Sequence, residues 1–280
     1  MKSGYVFLFA LQAMLSLGCS PGDIADRAQY QPKFVVEGSI SLGGFPKVAL
    51  THNLPVSIPI DSSRLEEIII RWAKVEVFSE DDHEVLTLVK TADGFPFYHY
   101  VGRTLRGREG VDYQLRITYA DELIEATTTI PAMPKIDKLS FSETGDSVRL
   151  LQLSFTDPAE SKDFYRFYGK LKGEPHYASF TPFGLADELA NGQSVSLRLF
   201  RNRTSNISPE VDMYYKIGDT VQIRLVTMPE DAFTFWKQIN ALTGQLPSLG
   251  SPVRIQGNVS GPALGIWYGE AYDEAAAIIN

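Results

Sequence analysis

The sequence predicts a mainly β protein: an N-terminal immunoglobulin-like β-sandwich, then a second β-rich domain that carries one substantial helix. Three observations lead there. Short runs of alternating apolar and polar residues recur along the chain, which is the period of half-buried strands. Turn signals rich in Gly and Asp separate the runs. Aromatic residues are abundant, with 13 Tyr and 16 Phe in 280 residues, and such side chains suit a pleated surface. Hydrophobic and charged contents of 44% and 21% are those of a globular chain, not a disordered one. The length allows a large core without disulfide or metal staples.

Residues 1–18 read as a signal peptide. Lys2 gives a positive start, and Tyr5 to Leu17 is apolar except for Gln12 and Ser16. That makes an apolar segment of about 13 residues, short of the about 20 that span a bilayer. The segment ends Leu15-Ser16-Leu17-Gly18-Cys19-Ser20, which resembles the lipobox of bacterial lipoproteins. There a small residue precedes a Cys whose sulfur is alkylated by a diacylglycerol, and a peptidase then cuts before the modified Cys. Cleavage is expected between Gly18 and Cys19, with lipid on Cys19. The chain has one Cys, so once acylated it forms no disulfide. Several fatty chains, at about 0.8 kcal/mol per buried CH₂, anchor stably. Residues 19–31 are then the lipidated Cys and a polar tether containing Pro21-Gly22. Ser20 differs from the aspartate that retains many lipoproteins in the inner membrane. The expected location is therefore the outer membrane, lipid-anchored, on either face.

The first domain is expected over 32–131. Its strands are Lys33–Ser41, Lys47–Thr51, Ala73–Ser79, Glu84–Lys90, Phe95–Val101, Asp112–Tyr119 and Leu123–Ile130, separated by Gly43-Gly44, Asp81-Asp82, Asp93-Gly94, Gly107 and Gly110. The Cys–Trp–Cys core of antibody domains is absent, so the likeness is architectural. Pro131 and Pro134 make a stiff connector. The second domain follows over 135–280, with strands at Lys138–Ser142, Val148–Thr156, Phe164–Leu171, Val195–Phe200 and Thr220–Thr227. Pro229, Glu230 and Asp231 open a helix near 229–243, with Pro and two acids in its first turn. Phe235, Ile239 and Leu242 share one face, Phe233 and Trp236 lie to one side, and Gly244 ends it. The aromatic stripe is expected to pack as core.

The order of these phrases resembles a known family. Lys33-Phe34-Val35-Val36-Glu37-Gly38 follows the tether, then Pro46-Lys47-Val48-Ala49-Leu50-Thr51, Gly110-Val111-Asp112-Tyr113-Gln114-Leu115 and Ala126-Thr127-Thr128-Thr129-Ile130-Pro131. Phe155-Thr156-Asp157-Pro158 precedes Phe164-Tyr165-Arg166, and Gly218-Asp219-Thr220-Val221 precedes Phe235-Trp236. Asn258-Val259-Ser260-Gly261 and Leu264-Gly265 stand near the end. Together they resemble the Bacteroidetes lipoprotein family catalogued as domain of unknown function 4249, over nearly the whole mature chain. The resemblance carries over no catalytic residue. It implies a context beside TonB-dependent outer-membrane receptors, which is association and not mechanism.

The formal net charge of −8 and the lack of a dense Lys/Arg cluster exclude a duplex-binding protein, whose basic residues must replace phosphate counterions. The four histidines, His52, His83, His99 and His176, form no H-x-x-H or H-E-x-x-H pair. Each reads as surface or strand edge, His52 and His83 in turns and His99 in an alternating run. Thiol catalysis is excluded because Cys19 carries lipid. In Gly257-Asn258-Val259-Ser260-Gly261 the Ser is one place late for a nucleophile elbow, so the segment reads as a turn near the last strand. Glu80, Asp81 and Asp82 lack calcium-loop spacing and read as a hairpin tip. No cofactor, metal or catalytic residue is expected. Asp146-Ser147-Val148 and Asp219-Thr220-Val221 resemble the Asp-Ser/Thr-apolar triplets these bacteria O-glycosylate, although such triplets are common by chance. They mark Ser147 and Thr220.

The leading expectation is a non-catalytic, lipid-anchored envelope protein that binds a ligand, peptide or glycan, or assists a TonB-dependent receptor in import. Tyr98, Tyr100, Tyr177 and Trp267 are aromatics that could stack on a ligand, with core packing as the simpler role. A structural, adhesion or envelope-assembly lipoprotein is the alternative, and a hydrolase the third reading.

Overall fold

The computed structural model describes residues 32–54, 61–91, 95–143, 148–180, 184–186, 188, 191–200, 215–243 and 255–280. The chain divides into two compact units. One comprises residues 1–32 and 54–58, of which Pro32 and Leu54 are described. The other, residues 33–53 and 59–280, contains everything that follows.

This unit is mainly β. Strands β1 (Phe34–Ser41) and β2 (Lys47–His52) lead to a short helix, α1 (Ser62–Glu67). Six strands follow: β3 (Lys74–Phe78), β4 (His83–Val85), β5 (Thr87–Lys90), β6 (Tyr98–Val101), β7 (Asp112–Tyr119) and β8 (Glu122–Thr129). Beyond the two prolines come β9 (Ile136–Glu143), β10 (Val148–Thr156), β11 (Phe164–Leu171), β12 (Ala178–Ser179), β13 (Leu185–Ala186), β14 (Ser194–Leu199), β15 (Tyr215–Lys216) and β16 (Thr220–Met228). Helix α2 (Glu230–Thr243) and the 16-residue strand β17 (Ala263–Ile278) complete the order.

The alternation that marked the strands is the alternation of burial. In β1, Val36 and Ile40 are inaccessible, while Glu37 and Ser39 point the other way. Where the structure departs from the sequence reading, backbone pairing explains it. The run Glu84–Lys90, expected as one strand, is two. β4 pairs with β3, β5 pairs with β6, and buried Leu86 lies between them, its N–H donating to the Val75 carbonyl at 2.8 Å. The chain thus changes sheet within one apolar run. Helix α1 was not anticipated; Asp61 caps it, its carboxylate accepting from the Arg64 N–H at 3.0 Å.

Three sheets result. The largest has the order β12-β11-β16-β17-β1-β2-β6-β5, with β13 also on β11. A four-stranded sheet runs β4-β3-β7-β8, and another is β14-β10-β15 with β9 on β10. β17 is the keystone of the long sheet. It pairs parallel with β1 (Gly38 opposite Trp267) and antiparallel with β16 (Arg224 opposite Glu274). The regions 32–131 and 135–280 therefore share one sheet and lie in the same compact unit.

Each four-stranded sheet covers one end of the long sheet. Val36, Ile40, Val48, Leu50 and Trp267 pack with Val75, Val77, Tyr113, Leu115 and Ile117 in one core. Tyr165, Phe167, Val221, Ile223, Leu225 and Ile279 pack with Leu151, Leu153 and Phe155 in the second. Trp267 and Ala271 of β17 join the first core, and Ile279, just past its end, joins the second. The Trp267 indole N–H donates to the Tyr113 carbonyl at 2.9 Å. Beneath that ring only a glycine fits: a Cβ on Gly38 would stand 2.8 Å from Trp267 Cε3 and 3.1 Å from Val48 Cγ2. The even positions of β17 face the opposite side. There α2 lays Ala232, Phe233 and Phe235 against Phe164, Val226, Met228 and Ile266, a third core. The aromatic stripe of α2 is core, as its spacing implied. Among the described residues, no helix is long and apolar enough to cross a membrane.

Candidate functional site

The side of the long sheet that α2 only partly covers is polar, and its groups come from strands far apart in sequence. Register places them together. Ser41 of β1 lies opposite Glu270 of β17, and Ser39 opposite Tyr268 on one side and Lys47 of β2 on the other. Glu37 lies opposite Ile266 and Ala49. Toward the other edge, Val226 of β16 lies between Tyr272 of β17 and Arg166 of β11, and Arg224 between Glu274 and Tyr168. Glu37, Arg166, Tyr168, Tyr268, Glu270 and Tyr272 therefore rise from one face.

Local devices fix these strands. Asp157 is buried and accepts from the Tyr165 hydroxyl at 2.6 Å and the Gly192 N–H at 3.0 Å, which holds the start of β11 next to Arg166. Asn258 behaves as a side-chain strand: its oxygen accepts from the Trp267 N–H at 2.9 Å while its nitrogen donates to the Trp267 carbonyl at 2.7 Å and to Asp231 at 2.8 Å. The first turn of α2 is thereby tied to β17, and Trp236 of α2 meets Tyr268 edge-to-face at 6.3 Å.

A cavity of about 150 Å³ opens in this face, lined by Glu37, Ser39, Lys47, Pro96, His99 and Tyr268 among others. Glu37 keeps contact with solvent, yet the surrounding wall has an electrostatic effect. Burial pushes its carboxyl above the ordinary value, against the pull of Lys47. Burial likewise raises Glu270, although the Ser41 hydroxyl donates to it at 2.7 Å and Arg224 and Arg166 favour its charged form. Burial takes the Tyr168 phenol up to about 12 and Tyr268 well above its ordinary value. Solvent-reachable carboxyls with raised pKa values are what a concave, poorly hydrated floor produces.

The guanidinium of Arg166 is the most unusual group here. The residue is 7% exposed, and among the described residues its side chain makes no hydrogen bond and no direct ion pair, although its charge reaches the Glu270 carboxylate through space. Its charge rests between two rings, 5.0 Å from the Tyr168 centroid and 5.3 Å from that of Trp236. The Nε of Arg166 and the Nε1 of Trp236 are both buried without a partner. Arg224, by contrast, donates from Nε to Glu274 at 2.7 Å and packs 4.0 Å from the Tyr272 centroid. A wider hollow of about 540 Å³ lies beside α2 at Phe164, Glu188, Glu230, Phe233 and Lys237. Glu230 there is exposed and already paired with Lys162 at 2.8 Å.

The sequence-marked residues distribute differently. Gly18, Cys19 and Ser147 lie outside the described residues. Thr220 is half-buried at the start of β16. His99 lines the cavity, which its alternating run did not signal. His83 lies in β4, 3.1 Å from Glu76 and stacked on Phe78 at 4.3 Å. His52 closes β2 against the Phe34 ring at 5.1 Å, and His176 is exposed. No set of three or more His, Cys, Asp or Glu among the described residues could hold a metal. Glu80, Asp81 and Asp82 form the exposed tip of the β3–β4 hairpin. Of the four marked aromatics, Trp267 is core, and Tyr100 is too, its hydroxyl donating to the Ile70 carbonyl at 3.0 Å. Tyr98 meets Arg71 and Lys90, and Tyr177 meets Arg224 and Lys170, both half-buried. Sequence reading missed Glu37 and Arg166, which read as ordinary strand positions, and Tyr268 and Glu270, which lie on β17, a strand it did not anticipate.

The model of one protein family matches residues 23–274. The chain belongs to that family, described as Domain of unknown function (DUF4249). No curated protein matches it. In this DUF4249 chain several of the phrases that carried the resemblance have structural reasons. Asp157 and Tyr165 form one hydrogen bond, Asn258 clamps Trp267, and Glu37-Gly38 supplies a cavity wall and the space for an indole.

Proposed function

We propose that this DUF4249 chain is a non-catalytic, lipid-anchored protein of the bacterial outer membrane. It takes a small ligand on the polar face of its long sheet and assists a TonB-dependent receptor in import. The observation that supports binding is the cavity beside Glu37 and Tyr268, on the same sheet face as Arg166, whose Nε is buried without a hydrogen-bond partner. Buried polar groups without partners are uncommon in folded chains, and a ligand is one thing that completes them. The membrane part rests on the apolar leader ending at Gly18-Cys19, and the receptor part on the context that the family resemblance implies.

The test uses cells fed a radiolabelled fatty acid and crosslinked before extraction. The parent chain carries label and brings down a TonB-dependent receptor. Cys19→Ala carries no label and keeps its leader. Label on Cys19→Ala refutes the anchor, and a parent chain that crosslinks to no such receptor refutes the partner.

A further inference from the structure

Resting on the reading of Cys19 as the lipid anchor, we propose that one end of the long sheet docks on the bilayer that holds the anchor. Docking sets Trp72 among the lipid headgroups, with Arg71 and Lys90 on their phosphates. Trp72 is 89% exposed, whereas Ile278, the next most exposed large apolar side chain among the described residues, is at 60%. Tryptophan is highly buried on average, so a ring this bare to water is unusual. It does not stand alone. Arg71 lies 5.3 Å from the centroid of the Tyr98 ring, and Lys90, opposite Tyr98 in the β5–β6 pair, lies 5.6 Å from it. Phe95, between those two strands, is 44% exposed and meets Phe97 edge-to-face. Arg71 and Lys90 are exposed, and among the described residues neither side chain makes an ion pair or hydrogen bond. Such a mixture suits a membrane interface. Amphipathic rings collect at headgroup level, and Lys and Arg lay apolar stems along the surface while their charges reach the polar layer.

The point where the chain enters selects a bilayer over a protein partner. The described unit begins at Lys33, whose N–H donates to the Asn53 Oδ1 at 2.7 Å and whose carbonyl accepts from the Asn53 N–H at 3.0 Å. Antiparallel pairing along β1-β2-β6-β5 puts the start of β1, the end of β2 and the β5–β6 turn at one end of the sheet. The segment that carries Trp72 leaves from that end: His52 donates its N–H to the Ile68 carbonyl at 2.8 Å, and Ile69 is bridged to Thr51. At no more than about 3.6 Å per residue, Trp72 stands within about 30 Å of Lys33, and Cys19 within about 50 Å of it. An acyl anchor on so short a leash makes contact between this end and the bilayer an intramolecular event, with the high effective concentration that follows. The acids of the region, Glu66 and Glu67 on α1 and Asp121 and Glu122 at the β7–β8 turn, pair with neither cation among the described residues. Both cations therefore remain available to phosphate oxygens.

Tryptophan fluorescence of the full lipidated chain tests this, in vesicles of phosphatidylethanolamine and phosphatidylglycerol whose acyl chains carry bromine either near the headgroup or at their ends. Of the three Trp, Trp267 is core and Trp236 is half-buried on α2, so Trp72 is the one placed to meet lipid. Bromine near the headgroup quenches part of the parent's emission, and bromine at the chain ends does not. Trp72→Phe loses the quenched part, and Arg71→Glu combined with Lys90→Glu reduces it. Thermal midpoints stay unchanged, because all three positions are exposed. Fatty-acid label on the same samples reports the anchor separately. A labelled parent without quenching, or quenching kept in Trp72→Phe, overturns the docking and leaves the anchor standing. An unquenched parent whose receptor crosslink is lost in Trp72→Ser gives the patch to a protein partner and also overturns the docking. A parent without label overturns both.

Discussion

Removing the Phe235 ring tests how the site is held. Phe235 is 8% exposed and packs in the core that α2 shares with Phe164, Val226, Met228 and Ile266. Its ring also meets Trp236 edge-to-face at 5.4 Å. A buried Phe→Ala change costs about 3–5 kcal/mol, and aromatic pairing is worth about 0.5–1.5 kcal/mol of such a total. For a unit of this size each kcal/mol moves the thermal midpoint by about 2–4 °C, so Phe235→Ala should lower it by roughly 6–20 °C. A 14-residue helix is marginal alone in water and stays ordered only by docking. Trp236 rides on it, so Arg166 loses one of its two rings as well. Scanning calorimetry of the full chain in detergent gives the midpoint, with Phe235→Leu as the volume-conserving control that recovers most of it. A midpoint shift under about 2 °C for Phe235→Ala, together with lost binding of a receptor partner, refutes the reasoning and makes the α2 face an interface.

Two further changes probe the framework. Gly38→Ala crowds Trp267 and Val48 and should cost about 1–3 kcal/mol in calorimetry, whereas an unchanged midpoint shows that the indole can shift. Glu84 sits among backbone donors, accepting from Arg103 at 2.6 Å and Leu105 at 2.8 Å. Burial raises its carboxyl, but those N–H bonds outweigh it and hold the pKa below the ordinary 4.5. Its contribution is thus present above that value and is lost as pH falls through the lower folded value. Glu84→Gln should cost about 1 kcal/mol at neutral pH, allowing for solvent screening, and progressively less in acid; a penalty that grows in acid contradicts the assignment.

Much of the framework was readable because its strands have one wet face. β1, β7 and β8 alternate cleanly, and α2 announces itself through Pro229, two acids and an i, i+4, i+7 stripe. β17 was not readable. Ile266 and Trp267 are consecutive and both inaccessible, since one serves the helix side and the other the sandwich side. Gly265 and Gly269 and the run Ala275-Ala276-Ala277 further dilute its strand signal. The candidate site was invisible for a related reason. Glu37 occupies the outward position of an alternating strand, which in one strand alone means solvent, whereas Arg166 lies within four consecutive buried residues of β11 and Glu270 lies on β17. Only the order β11-β16-β17-β1 turns that outward side into a shared, partly covered face, and that order depends on the strand the sequence hid. The histidines drew attention by chemistry, and only His99 lies at the cavity.

The polar face as a ligand site is tested most directly by native mass spectrometry of the lipidated protein taken from its own membranes in mild detergent. The parent chain should carry an added small-molecule mass beyond its acyl chains. Ser39→Trp, which fills the cavity of about 150 Å³ on the face turned away from the two cores between the sheets, should be lipidated and folded yet lack that mass. A parent chain with no added mass, or the same mass retained in Ser39→Trp, contradicts the assignment of this face as the binding site.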